Sequence, residues 1–268
     1  MAFSGFRNVG LSDTLSAQPT VSIIETVLSL YDVEHVNFKG LRIEAARSML
    51  VEVAGGANVR FRDCQFANAG NVAVHLFGGT EHALLGCEII SVGSSAIRIE
   101  AGDRTSLIPS NHLIEGCDIH DFCQLFWAGR PGIAIYGVGS HILGNRVHHG
   151  PDVAIGIHGN DHRIEQNEIT DVCTETHDTG AICLAYDPTY RGNQIRNNYI
   201  HGTGVDLQSV NRNHLALEDN EKKSATDFDT PERILTQLGI RVLDRTQDKS
   251  DPEMKLVNET RDAAQEVK

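Results

Sequence analysis

One short pattern returns seven times along the chain, as FKGLRI, FRDCQF, LLGCEI, IEGCDI, LGNRV, IEQNEI and IRNNYI. The apolar residue that closes each copy is Ile43, Phe66, Ile89, Ile119, Val147, Ile169 or Ile200, at intervals of 23, 23, 30, 28, 22 and 31 residues. Two positions before it stands Leu41, Cys64, Cys87, Cys117, Asn145, Asn167 or Asn198. A second apolar strand recurs in the same units, with inward positions expected at Leu28, Val51, Val74, Ile97, Ile135, Ile155 and Ile182. A small residue precedes it, at Ala73, Ala96, Ala134, Ala154 and Ala181. Period-two alternation inside such short units means brief strands separated by turns. One unit cannot bury its own apolar face, so neighbouring units must stack.

The expected fold is all-β: a right-handed, single-stranded parallel β-helix of about seven coils, followed by a polar tail that is partly helical or disordered. Coils then lie one strand spacing apart, about 4.8 Å, and parallel crossovers favour the right hand. Stacking gives the Cys and Asn column a purpose. An inward Asn can donate to and accept from the Asn one coil away, which satisfies amides that the turn would otherwise bury. A thiol in that position is a small apolar filler, so Cys64, Cys87 and Cys117 are expected to be structural and reduced.

The coil pattern runs over residues 21–206. Residues 1–20 carry no assignment, and residues 207–268 turn polar and charged, with Ile234, Leu235, Leu238, Ile240, Val242 and Leu243 able to form an apolar patch over the open coil end. The 25 glycines suit many tight turns, and the net charge of -13 argues against a nucleic-acid partner. No apolar run is long enough to span a membrane. The opening MAFSGFRNVGLSDTLSAQPT has no basic segment followed by an apolar core, so no export leader is expected in it. Oligomeric state is left open.

Several stretches carry a closer resemblance: LSLYDVEHVNFKGLRIEAARSMLVEVAGG, GIAIYGVGSHILGNRVHH, AIGIHGNDHRIEQNEITDVCTET and YRGNQIRNNYIH. Over about residues 21–206 they resemble the pectin-lyase-like right-handed β-helix proteins that act on carbohydrate, and among them proteins like those of glycoside hydrolase family 141. The resemblance implies an exported protein acting on polysaccharide or oligosaccharide through paired carboxylates. It carries over a catalytic acid at Asp178, within ETHDTGAI; Asp187, kept in AYDPTYRGN where the family-like segment GRDWTYRGN has a bulky aromatic that is absent here, is the second catalytic candidate of this chain. Substrate contacts are expected from His158, Glu175, His177, Tyr190 and Arg191. The chain looks like a central slice of such an enzyme, with the partner acid of the family on a later coil. A non-catalytic glycan-binding or structural scaffold is therefore the alternative reading.

Read without the resemblance, Asp171, Glu175, Asp178 and Asp187 could equally cap turns. His120, His148 and His201 each follow a closing strand residue and are expected to form a column, either a stacked ladder or a proton relay. Cys173, His177 and Cys183, with His158 and His162, fit no zinc spacing, and no calcium loop is present, so neither metal nor cofactor is expected. A polysaccharide lyase, the third reading, needs a base and a cation beside a uronate, which the acidic balance disfavours.

Overall fold

The computed structural model describes residues 21–176, 180–185 and 187–201, together with the backbone of the strand Ala216–Glu218. Asp178 and His177, and the rest of the C-terminal segment, lie outside these residues. Three parallel sheets form the faces of a coiled prism. The first runs from Thr26–Tyr31 to Ile182–Leu184 in seven strands, and the third from Arg42–Ala46 to Tyr199–His201, also in seven. The second runs from Asn37–Lys39 to Gln194–Arg196 and gains an eighth strand, Ala216–Glu218, beyond the boundary expected at 206. Among the described residues every regular element is a strand.

The closing column stacks as expected: Ile43, Phe66, Ile89, Ile119, Val147, Ile169 and Ile200 pair in register. On the first sheet the order is Leu28, Val51, Val74, Ile97, Ile133, Ile155 and Ile182, so Ile133 rather than Ile135 holds the fifth place. The preceding small residue there is Gly132, not Ala134. Ile133 and Ile135 are both fully buried, and a Cβ on Gly132 would stand 3.0 Å from both Ala154 O and the buried Phe122 ring.

The corner between the second and third sheets is a tight turn whose first residue has positive φ: Gly40, Asp63, Gly86, Gly116, Gly144, Gln166 and Asn197. The next residue is the Cys or Asn of the repeat. Asn145 Nδ2 donates to Asn167 Oδ1 (3.0 Å) and Asn167 Nδ2 to Asn198 Oδ1 (2.9 Å), forming the expected ladder. Each amide also donates to a strand carbonyl of the coil before it, Ile114, Ile142 or Ile164. The thiols of Cys117, Cys87 and Cys64 face the equivalent carbonyls of Leu84, Phe61 and Phe38 at 3.6, 3.5 and 3.8 Å. All three are buried free thiols. Leu41, at the open end of the same column, is 43% exposed.

Gly144 has φ +60 and open space where a Cβ would be. Gly144→Ala should therefore cost only the left-handed backbone strain, about 1 kcal/mol, read as a small shift of the urea midpoint with unchanged slope.

The corner between the first and second sheets repeats the design with other residues. His35, Asn58, Glu81, Asn111, Gly139, Asp161 and Gly192 have positive φ, and Val36, Val59, His82, His112, Ser140, His162 and Asn193 follow them. His82 and His112 are fully enclosed and stack at 4.9 Å. Val59 N–H donates to His82 Nδ1 and His82 N–H to His112 Nδ1, both at 3.1 Å. Because Nδ1 accepts, Nε2 carries the proton, and it reaches Gly55 O in His82 and Gly78 O in His112, each at 3.0 Å. His162 Nδ1 likewise accepts from Ser140 N–H (3.0 Å), and His162 N–H donates to Asn193 Oδ1 (3.0 Å).

The expected column of His120, His148 and His201 is interrupted. Thr170 occupies the coil between His148 and His201, so only His120 and His148 stack, at 4.8 Å and 6°.

Candidate functional site

A bare coil needs 22 or 23 residues, and the three longer intervals of 30, 28 and 31 carry the additional chain that builds the surface. These insertions emerge at two corners, each with its own cluster of polar side chains.

The first cluster lies at the corner between the first and second sheets. Arg104, in the loop after the strand Ile97–Ala101, places its guanidinium 4.5 Å over the Tyr190 ring. It also donates to Asn160 Oδ1 (3.2 Å) and Thr189 Oγ1 (2.6 Å) and lies 3.8 Å from Asp187 Oδ2. Tyr190 meets His158 edge-on at 6.4 Å, His158 stacks on Tyr136 at 4.5 Å, and Arg98 covers Tyr136 at 4.9 Å. Burial, aided by the charge of Arg98, holds the His158 pKa below its ordinary value. Four expected site residues thus gather here or beside it: His158, Asp187, Tyr190 and Arg191, the last lining a shallow cavity of about 310 Å³ with Asp161 and Leu107.

Asp187 accepts from the Thr189 hydroxyl (2.6 Å) and the Thr189 N–H (2.9 Å). These bonds, with the nearby Arg104 charge, hold its pKa below the usual carboxylate range. It is an ionised turn acid. Tyr136 carries Arg98 and His158 on its ring, and Tyr190 carries Arg104 on one face.

The second cluster lies at the corner between the third and first sheets. Two insertions, one around residues 124–131 and one following Asp171, bound a cleft of about 490 Å³. Its floor is Phe122, and its walls include Asp121, Trp127, His149, Asp171 and Glu175. Phe122 lies so close to Gly150 that a Cβ there would fall 1.9 Å from the ring, which keeps that wall bare. Trp127 is 63% exposed, with its indole N–H donating to Gln124 O (3.2 Å). Glu175, the remaining described candidate, is exposed here, away from Asp187, with its N–H bonded to Pro151 O.

Buried Asp152 ties the two insertions together. Its carboxylate accepts from Arg130 N–H (2.9 Å) in one and from the Thr176 hydroxyl (3.3 Å) in the other. Cys123 also lines the cleft, but burial pushes its thiol up to about 12, which removes it as a nucleophile at neutral pH. Trp127, Arg104, Asp121 and His149 were not singled out by sequence. The available signal for Trp127, Arg104 and Asp121 was the length of their coils, together with the position of the chain's single tryptophan in one of them, while His149 lies in a coil of 22 residues that gave none.

The family profile described as "Right handed beta helix region" matches residues 84–226. A search of curated proteins gives no match. A solved structure titled "Glycoside hydrolase" is similar at 13% identity and a TM-score of 0.49, over 73% of this chain and 40% of that one. The present chain therefore spans well under half the length of that protein. Three stacked parallel sheets, two inward ladders and a profile match over more than half the sequence agree on one assignment: the chain belongs to the right-handed β-helix family.

Proposed function

We propose that this protein is a carbohydrate-active β-helix that receives a glycan in the cleft beside Trp127. The observation that carries the reading is an exposed indole at the rim of a 490 Å³ cleft with acidic walls. An aromatic ring offers the C–H face of a sugar a flat apolar contact, while carboxylates accept hydrogen bonds from its hydroxyls. Asp121, Asp171 and Glu175 supply those acceptors, and His149, 3.8 Å from Asp171, can donate.

Hydrolysis needs one carboxyl group that protonates the leaving oxygen and one ionised partner. We assign this pair to Glu175, on the cleft wall, and Asp178, three residues later in the chain, with Asp187 holding the turn of the other cluster. The resemblance to glycoside hydrolases supports Asp178, and the cleft supports Glu175. Binding without turnover is the second reading, because Asp187, the second catalytic acid the sequence offered, is engaged by Thr189 and Arg104.

Screening aryl glycosides and plant polysaccharides separates the two. With hydrolysis, Glu175→Gln or Asp178→Asn should lower turnover by at least about a hundredfold, while Trp127→Ala weakens substrate binding. Retention on a polysaccharide gel without turnover, lost in Trp127→Ala, selects the binding reading. Retention and turnover both unaffected by Trp127→Ala would remove the cleft from either.

A further inference from the structure

The outward face of the third sheet carries a cluster that neither reading uses. Asp118 and His120 lie on the strand Asp118–His120, and His148 ends the neighbouring strand Arg146–His148. A nitrogen from each imidazole and a carboxylate oxygen of Asp118 all lie within 4.8 Å of one another. His148 Nε2 is 2.8 Å from Asp118 Oδ1, and His120 Nε2 is 3.6 Å from Glu88 Oε1 on the preceding coil. We propose that His120, His148 and Asp118 form a divalent transition-metal site of zinc type, with Glu88 able to close the coordination.

The nitrogens that would face away from the metal are already held. His120 Nδ1 bonds Asp121 Oδ2 at 2.8 Å, and because an ionised carboxylate only accepts, the proton sits on Nδ1 and Nε2 is left with its lone pair. This is the carboxylate–imidazole pairing that orients metal-binding histidines. His148 Nδ1 bonds His149 Nδ1 at 2.5 Å, and His149 Nε2 lies 3.8 Å from Asp171. On binding, the His148 proton moves from Nε2 to Nδ1, and the proton of His149 moves to the nitrogen facing Asp171, so no proton need be released.

Two imidazoles and one or two carboxylates are a donor set suited to zinc, whose bonds are about 2.0–2.2 Å long. The rings stack at 4.8 Å, so they must tip towards each other to share an ion. Among the described residues Arg146 opposes a cation here; it aligns with Asp118 in register but pairs with Glu168 at 3.8 Å on its other side. Because the ligands come from adjacent coils, the ion would staple the coils against separation. Sequence spacing could not reveal the site, since its histidines lie 28 residues apart and meet only through the coil register. The proposal does not depend on glycan binding.

The test is calorimetric titration of tag-free, EDTA-dialysed full-length protein with Zn²⁺, alongside the absorption spectrum of the Co²⁺ form. One ion per chain should bind with micromolar or tighter affinity, raise the melting temperature and give the visible bands of cobalt bound to nitrogen and oxygen. Excess Ca²⁺ should not compete. His120→Ala should abolish the saturable phase, and Asp121→Asn, which spares all three ligands, should weaken it by about tenfold. Circular dichroism and zinc-free melting of each variant exclude loss of fold as the cause. No saturable binding by the wild type, or binding that survives His120→Ala and is lost in Cys183→Ser, would overturn the proposal.

Discussion

Replacing Asn167 by alanine should lower folding stability by about 4 kcal/mol, a thousandfold change in the folding equilibrium. Asn167 is fully buried in the middle of the amide ladder. Its Oδ1 accepts from both Asn145 N–H (2.9 Å) and Asn145 Nδ2 (3.0 Å), and its Nδ2 donates to Ile142 O (2.9 Å) and Asn198 Oδ1 (2.9 Å). Truncation removes the acceptor of Asn145 N–H, one of the two acceptors of the Asn145 amide and the donor to the Ile142 carbonyl, inside a core that water does not reach. Each stranded neutral group costs about 1–3 kcal/mol. Cys117→Ala in the same column should cost only about 1 kcal/mol, the scale of a small buried apolar group, because the thiol makes only weak bonds to carbonyls at 3.5 and 3.6 Å. Urea unfolding of both variants measures the contrast. Equal losses at the two positions would show that the corner is held by packing rather than by amide hydrogen bonds.

Acidification from pH 7 to pH 5 should remove about 4 kcal/mol of stability, most of it through two buried imidazoles. Burial depresses His112 to about 4 and His162 to about 3, from an ordinary value of 6.5, and lowers His82 as well. A folded pKa below the unfolded one means that the unfolded chain takes up protons first as the pH falls. The stability is complete above about pH 6.5 and drains away as the pH drops towards the folded values. Each group contributes about 1.4 kcal/mol per pH unit inside that window. The physical reason is the ladder: protonation of His112 Nδ1 or His162 Nδ1 would break the bond from His82 N–H or Ser140 N–H and bury a charge. His162→Asn copies the residue that serves the next coil, Asn193. It should keep most of the stability at pH 7 while reducing the pH slope by close to half. Stability that stays flat between pH 7 and 5, or a slope untouched by His162→Asn, would contradict the assignment.

The two ladders show what the chain makes visible from its letters alone. The Cys and Asn corner could be read because its residues sit at one offset inside a repeated apolar pattern. The His corner follows the same geometry, yet Val59, His82, Ser140 and Asn193 share neither hydropathy nor shape. What unites His82, His112, His162 and Asn193 is a backbone N–H of the coil before, which each accepts and which only the stacked structure brings into view. The place of Ile135 was hidden for a comparable reason: Ile133 and Ile135 both point inward, and only the pairing with Ile97 and Ile155 gives Ile133 the fifth position.

At the candidate sites, His158 meets Tyr190, in the same turn as Asp187, because the two lie on adjacent coils near one corner. Glu175 stands apart because its insertion leaves from a different corner. Arg104 and Trp127 belong to inserted loops with no period, so their neighbours are set by how those loops fold back over the prism.

The most direct measurement is the fluorescence of Trp127, the sole tryptophan and hence the whole indole signal of the protein. Titration with soluble oligosaccharides, with binding followed independently by calorimetry, should give a saturable change in its emission at the same midpoint as the heat of binding. Saturable glycan binding that leaves the emission unmoved would place the ligand elsewhere on the coil, and no binding by any glycan tried would contradict the carbohydrate reading itself.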